Sequence, residues 1–293
     1  MPEVRSNGMT ISYETLGDPS DPALLLIMGL GAQLVDWPDE FCDLLAARGF
    51  HVIRFDNRDI GLSTWLDDLP LPDLGEIFAG DFTTVPYQLG DMAADTAGLL
   101  KELGVQRAHV VGASMGGMIA QQLAIDRPDL VASLCSIMST TGDRTVGHPT
   151  PEAAAALMRP AATNRDDAIA GAVAGSKAIG SGSLGVFDVP EDDMVRKAAA
   201  KYDRAFHPAG TARQYGAIAA STDRTAALGA VTAPTLVVHG EGDPLIDVSG
   251  GRATAAAVPG ATLLVIPGMG HDLPRGAWPP IVDAIVANAL SAG

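Results

Sequence analysis

The chain has 293 residues, 47% apolar and 18% charged, enough to bury the core of one large α/β domain. Its net charge of −16 argues against a nucleic-acid partner, which needs clustered Lys and Arg, and disfavours anionic substrates. No run is long and apolar enough to span a membrane, and Met1–Gly8 lacks the apolar stretch of a secretory signal, so a cytoplasmic protein with no membrane partner is expected.

Strand and helix signals alternate, the pattern of a sheet covered by helices. Met9–Glu14 alternates like an edge strand and is followed by a turn cluster rich in Gly, Asp and Pro at 17–22. Ala23–Met28 is continuously apolar, as a strand buried on both faces should be. Asp39–Arg48 reads as a helix closed by Gly49, and His51–Phe55 as the next strand. Met92–Leu103 is a predicted helix, Ala108–Val111 a strand, and Gly116–Arg127 a helix stopped by Pro128. Val131–Met138 reads as a buried strand.

From Ser139 to Thr225 no strong strand signal remains. The segment is Ala-rich, carries Pro149, Pro151, Pro160 and Pro190, and reads as a helical insertion with a mobile Gly/Ser loop at Gly180–Gly185. The sheet resumes at Thr235–His239, followed by a helix near Ser249–Val258, a strand at Ala261–Ile266 and a terminal helix at Trp278–Leu290. The expected division is a core of 1–138 and 226–293 with an insertion of 139–225. Cys42 and Cys135 read as free core thiols, and no Cys/His spacing suits a metal.

Gly112-Ala113-Ser114-Met115-Gly116 is the one Gly-x-Ser-x-Gly in the chain. The pentapeptide alone is a weak signal. Its position strengthens it, because an apolar strand leads in and an apolar helix leads out. A sharp strand-to-helix turn lifts the serine hydroxyl into the open, and glycine two residues to either side avoids collision with the neighbouring elements. Ser114 is therefore the candidate nucleophile.

A serine hydroxyl needs a base. Of six histidines, His109 and His239 lie inside predicted strands, His51 begins one, and His148 and His207 sit in the insertion. His271 follows a strand and a glycine-bearing loop, where a base can reach over the sheet. The orienting acid should lie near the end of an earlier strand. Asp243, before Pro244, fits best, with Glu241, Asp247 and Asp143 as rivals. The order Ser114…Asp243…His271 matches that of nucleophile-elbow hydrolases.

Two backbone N–H groups should hold the developing oxyanion: Met115, directly after the nucleophile, and Leu30, with Gly31 as runner-up, in the loop after Ala23–Met28. Gly29 of that loop, Trp37, Met138, Phe187, Tyr202, Phe206 and Tyr215 are the candidate pocket residues, although aromatic and Met side chains serve cores equally well. Asp56–Ser63 reads as a scaffold loop beneath the site.

With these motifs assembled, the chain resembles the α/β-hydrolase superfamily. The strings Ile27–Gln33, Trp37–Phe41, Val52–Asp59, Val110–Gly116 and Ile266–His271 are similar to bacterial esterases near the aclacinomycin methylesterase group. The resemblance implies an eight-stranded, mostly parallel sheet flanked by helices, with a helical cap at 139–225. It implies hydrolysis of a small-molecule carboxylic ester through an acyl-enzyme, with no cofactor. The chain departs from many relatives at Met28, where they carry His, and at Asp59, where they carry Gly. The same triad also serves cofactor-free haloperoxidases or perhydrolases and C–C bond hydrolases, while a ligand receptor on the scaffold would lack turnover.

Overall fold

The computed structural model describes residues 1–292. Its strands are β1 (Glu3–Ser6), β2 (Met9–Leu16), β3 (Ala23–Ile27), β4 (His51–Phe55), β5 (Ala108–Ala113), β6 (Val131–Ile137), β7 (Thr235–Gly240) and β8 (Thr262–Ile266). They form one eight-stranded sheet in the order β1-β2-β4-β3-β5-β6-β7-β8. β1–β2 and β2–β4 pair antiparallel, and every other neighbouring pair is parallel. The eight-stranded α/β sheet expected from the sequence is therefore present. The edge position is not as expected: Met9–Glu14 lies inside β2, which has partners on both sides, and β1 forms the edge. With Val4 as its single apolar residue, β1 leaves no alternation to read.

The helices are α1 (Asp39–Ala46), α2 (Leu74–Phe78), α3 (Leu89–Glu102), α4 (Met115–Asp126), α5 (Pro151–Leu157), α6 (Arg165–Ile179), α7 (Glu191–Arg204), α8 (Pro208–Ala220), α9 (Thr225–Leu228), α10 (Val248–Ala257) and α11 (Trp278–Leu290). Strand alternation sorts the core into two layers. Leu25 and Ile27 of β3 enter one apolar cluster with α3 and α4, whereas Leu24 and Leu26 enter the other with α1 and α11.

Helix α11 illustrates what holds these layers. It has no side-chain N-cap hydrogen bond, yet it buries Trp278, Ile281, Val282, Ile285 and Ala289. A missing cap costs about 1 kcal/mol, while each large buried side chain contributes about 1.5–3 kcal/mol, so packing decides the helix.

Between β6 and β7 the chain runs through α5 to α9 without a strand. The Gly180–Gly185 stretch, expected to be a mobile loop, is instead a 3₁₀ turn at Ser181–Leu184 with Ser181 fully buried. Its order comes from contacts with residues some ninety positions away, which composition cannot show.

One buried ion pair ties this segment to the loop after β4. Asp59, with φ at +67°, accepts from Arg213 Nε and Nη2 at 2.9 and 3.0 Å, and both side chains are essentially buried. Leu66 N–H donates to the same carboxylate at 2.8 Å. Removing one partner of such a pair strands the other charge in the interior. Arg213→Ala is expected to lower the unfolding free energy by about 3–5 kcal/mol, measured by urea denaturation; a loss under about 1 kcal/mol would assign the pair no structural weight.

Candidate active site

The turn from β5 into α4 is set by glycine geometry. A Cβ on Gly112 would lie 2.0 Å from the Gly116 carbonyl oxygen, and one on Gly116 would lie 2.1 Å from that of Ile27. With both glycines in place, β3, β5 and α4 approach at backbone distance, and Ser114 is forced to φ +56° and ψ −121°. That backbone is fixed on both sides. Ser114 N–H donates to Ile137 O at 2.9 Å, and its carbonyl accepts from Gly117 N–H at 2.9 Å and the Ser139 hydroxyl at 2.8 Å. The Ser114 hydroxyl is left half-buried at the carboxyl end of the sheet, where open α/β sheets place their sites.

Two further loops converge there. Residues 241–247, after β7, carry Asp243, and residues 267–274, after β8, carry His271. His271 Nε2 lies 3.0 Å from Ser114 Oγ, and Nδ1 lies 2.7 Å from Asp243 Oδ2. The other Asp243 oxygen accepts from the Leu245 and Ile246 N–H groups at 2.9 and 3.0 Å. The carboxylate is thus buried, fully hydrogen-bonded and aimed at the imidazole. With Nδ1–H donated to that carboxylate, Nε2 is the acceptor facing the serine hydroxyl.

His239 lies beside this chain and gave no signal beyond its strand position. Its Nε2 donates to Ile246 O at 2.8 Å and stands 3.6 Å from Asp243 Oδ2, while its Nδ1 has no partner. Burial pushes its pKa down, so it stays neutral beside the acid. The rival acids lie elsewhere. Asp247 caps α10 through Ser249 N–H, Asp143 accepts from Thr145, and Glu241 is exposed.

The loop after β3 passes close to Ser114, since a Cβ on Gly29 would lie 3.0 Å from Ser114 Cβ. No hydrogen bond engages the Leu30 or Met115 N–H among the described residues. The Gly31 N–H is taken by Gln214 Oε1 at 2.9 Å, which removes the runner-up donor. The loop is braced from beneath: Asn57 Nδ2 donates to Met28 O at 2.9 Å, and Asp56 Oδ1 accepts from Leu34 N–H at 2.7 Å.

A model described as "alpha/beta hydrolase fold" matches residues 22–274. The chain belongs to the α/β-hydrolase fold family. It is 30% identical to the rhodomycin D methylesterase DnrP of Streptomyces peucetius and 30% identical to DauP of Streptomyces sp. (strain C5), each match covering 99% of this chain and 98% of the relative. Among solved structures, a hydrolase from Pseudomonas aeruginosa PA01 superposes with a TM-score of 0.69 at 26% identity, over 99% of this chain and 97% of the other. The resemblance to the methylesterase group thus holds along the whole length.

In this hydrolase, Leu30 also lines a cavity of about 390 Å³, with Tyr202, Phe206 and Tyr215 among its other walls. Its lining also includes Leu157, Met158 and Thr211 and the polar Gln33, Arg159 and Lys201, which were not singled out from the sequence. Four of the pocket candidates do not line this cavity: Gly29, which lies beside Ser114 instead, and Trp37, Met138 and Phe187. Trp37 is fully buried and stacks on Phe41 at 5.6 Å, and Met138 is buried in the same apolar layer. Phe187 packs over Gly276 against that layer. Side-chain type alone does not separate a cavity wall from a core, because both are apolar. The two cysteines are buried, and desolvation pushes the Cys42 thiol up to about 12.

The elbow allows no extra methyl. Gly116→Ala would bring carbon to 2.1 Å from a backbone oxygen, so β3 and α4 must part. A stability loss of at least about 1–3 kcal/mol is expected by urea denaturation.

Proposed function

We propose that this hydrolase cleaves carboxylic esters through a Ser114–His271–Asp243 triad and an acyl-enzyme intermediate. The observation that carries the reading is the unbroken hydrogen-bonded chain from Ser114 Oγ through His271 to Asp243, with links of 3.0 and 2.7 Å. Ser114 Oγ attacks the ester carbonyl while Nε2 of His271 takes its proton. Asp243 holds the imidazole in the tautomer that can accept, and then stabilises its cationic form. The unengaged N–H groups of Leu30 and Met115 receive the oxyanion, each donor worth about 3–4 kcal/mol of barrier. His271 protonates the departing alcohol, then takes a proton from water as that water attacks the acyl-enzyme.

The segment 139–225 serves as the cap in this reading. Tyr202, Phe206 and Tyr215 from it share the cavity lining with Leu30, Leu157 and Met158, beside the polar Gln33, Arg159, Lys201 and His207, which supports an ester with a bulky, largely apolar acyl part that also carries polar groups. The methylesterase names of DnrP and DauP support a small alcohol as the leaving group. Leu30, one of the two proposed oxyanion donors, is shared between this cavity and the loop beside Ser114, which supports an acyl group bound there during attack.

Hydrolysis of p-nitrophenyl acetate and butyrate tests the assignment. Ser114→Ala is expected to lower kcat at least about 10⁴-fold, and Asp243→Asn about 10³–10⁴-fold, with the circular dichroism spectrum unchanged. A fluorophosphonate probe should add its mass at Ser114 and nowhere else. A Ser114→Ala variant that keeps most of the activity would remove the proposal.

A further inference from the structure

The loop that carries His271 is held by residues from the segment between β6 and β7, not only by its own strand. The His271 N–H donates to Ile179 O at 2.7 Å, at the last turn of α6. On one side of His271, the Gly270 N–H donates to Ser181 Oγ at 2.8 Å. On the other side, Asp272 Oδ1 accepts from Ser181 N–H at 3.0 Å and from the Ser181 hydroxyl. One hydroxyl therefore does two things: it gives its only proton to the carboxylate and accepts the neighbouring amide on a lone pair. Ser181 is fully buried. Burial pushes the Asp272 carboxyl up, and the Ser181 hydrogen bonds oppose that shift.

The packing is as close as the hydrogen bonds. A Cβ on Gly270 would lie 2.7 Å from Gly180 C and Ile179 O. Next along the chain, Leu184 covers Gly242 beside Asp243, and Val186 covers Gly268, at 2.5 and 2.3 Å from the corresponding Cβ positions. Residues 179–186 thus lie across both the loop of the acid and the loop of the base.

We infer that Ser181 and Asp272 are positioning residues for His271, forming a latch through which the segment between β6 and β7 sets where the imidazole stands relative to Ser114. The inference rests on the ester-hydrolase reading. Neither residue touches the reacting atoms. Their effect is on geometry, where a displacement of about an ångström can cost about 100-fold in rate.

The test compares wild-type protein with Ser181→Ala, Asp272→Ala and Asp272→Asn, and with Ser221→Ala as control. Ser221 lies in the same segment and loses one hydrogen bond, to Ala217 O at 2.6 Å, that does not involve the His271 loop. The readouts are kcat and KM for p-nitrophenyl butyrate, the rate of fluorophosphonate labelling at Ser114, and Tm. Ser181→Ala and Asp272→Ala are expected to lower kcat and labelling rate together by about 10–100-fold, with KM changed less than about 3-fold. Asp272→Asn keeps the acceptor oxygen and should restore most of the lost rate. Should Ser181→Ala fail to fold, the Asp272 pair carries the comparison. Labelling of Asp272→Ala at the wild-type rate, or losses no larger than those of Ser221→Ala at equal Tm, would overturn the latch alone. Wild-type protein that is neither labelled nor active would overturn the hydrolase reading, and the latch with it.

Discussion

The site depends on one steric constraint, the contact of three backbones where β3, β5 and α4 meet. Gly112 and Gly116 face carbonyl oxygens at distances no Cβ tolerates, and that closeness drives Ser114 into a left-handed φ. A non-glycine residue held there costs about 1–3 kcal/mol. The Ser114 backbone N–H and carbonyl recover about 0.5–1.5 kcal/mol from each of their bonds to Ile137, Gly117 and Ser139. The strain is therefore locally offset and the hydroxyl is left facing outward. Everything else in the site is arranged around an atom whose position the backbone has already settled.

Electrostatics follow the same economy of position. The chain is strongly acidic, yet its interior acids are each matched: Asp59 with Arg213, Asp95 with Arg58, and Asp56 with Arg204 and two backbone amides. Asp243 differs. It has no arginine, only backbone N–H donors and His271, with neutral His239 close by. Its second oxygen is therefore left facing the His271 imidazole, with no guanidinium competing for it.

The segment between β6 and β7 contributes more than a cavity wall. Gln214 occupies the Gly31 N–H in the loop beside Ser114. Arg213 and Gln214 bind the Asp59 carboxylate and the Arg58 carbonyl, which belong to the loop that braces Met28 through Asn57. Ser181 grips the residues on both sides of His271. One helical segment thus touches the loop bearing the proposed oxyanion donor and the loop bearing the proposed base.

Patterns of short range were legible in the amino-acid order. The runs at Ala23–Ile27 and Val131–Ile137, the elbow pentapeptide, and the Gly-flanked His271 each state a local requirement: burial on both faces, close approach, or reach. Position just beyond a strand, fixed by Pro244, favoured Asp243 over Glu241, Asp247 and Asp143 as the expected acid; chain order was compatible with all four. What the order of residues could not carry was any choice between chemically equal environments. Trp37, Met138 and Phe187 have the same apolar character as Tyr202 and Tyr215, and only the packing of α1 and α11 against one sheet face made Trp37 and Met138 core and drew Phe187 against that layer. The Gly180–Gly185 run has the composition of a loose loop, and nothing in the order of residues named a partner for Asp59. Contacts with Asp272 and Arg213, from distant parts of the chain, turned them into an ordered turn anchored by buried Ser181 and a buried ion pair. Sequence therefore determined which elements form and which residues stand at their ends. Tertiary structure decided which ends meet, because burial and partnership are properties of neighbours in space.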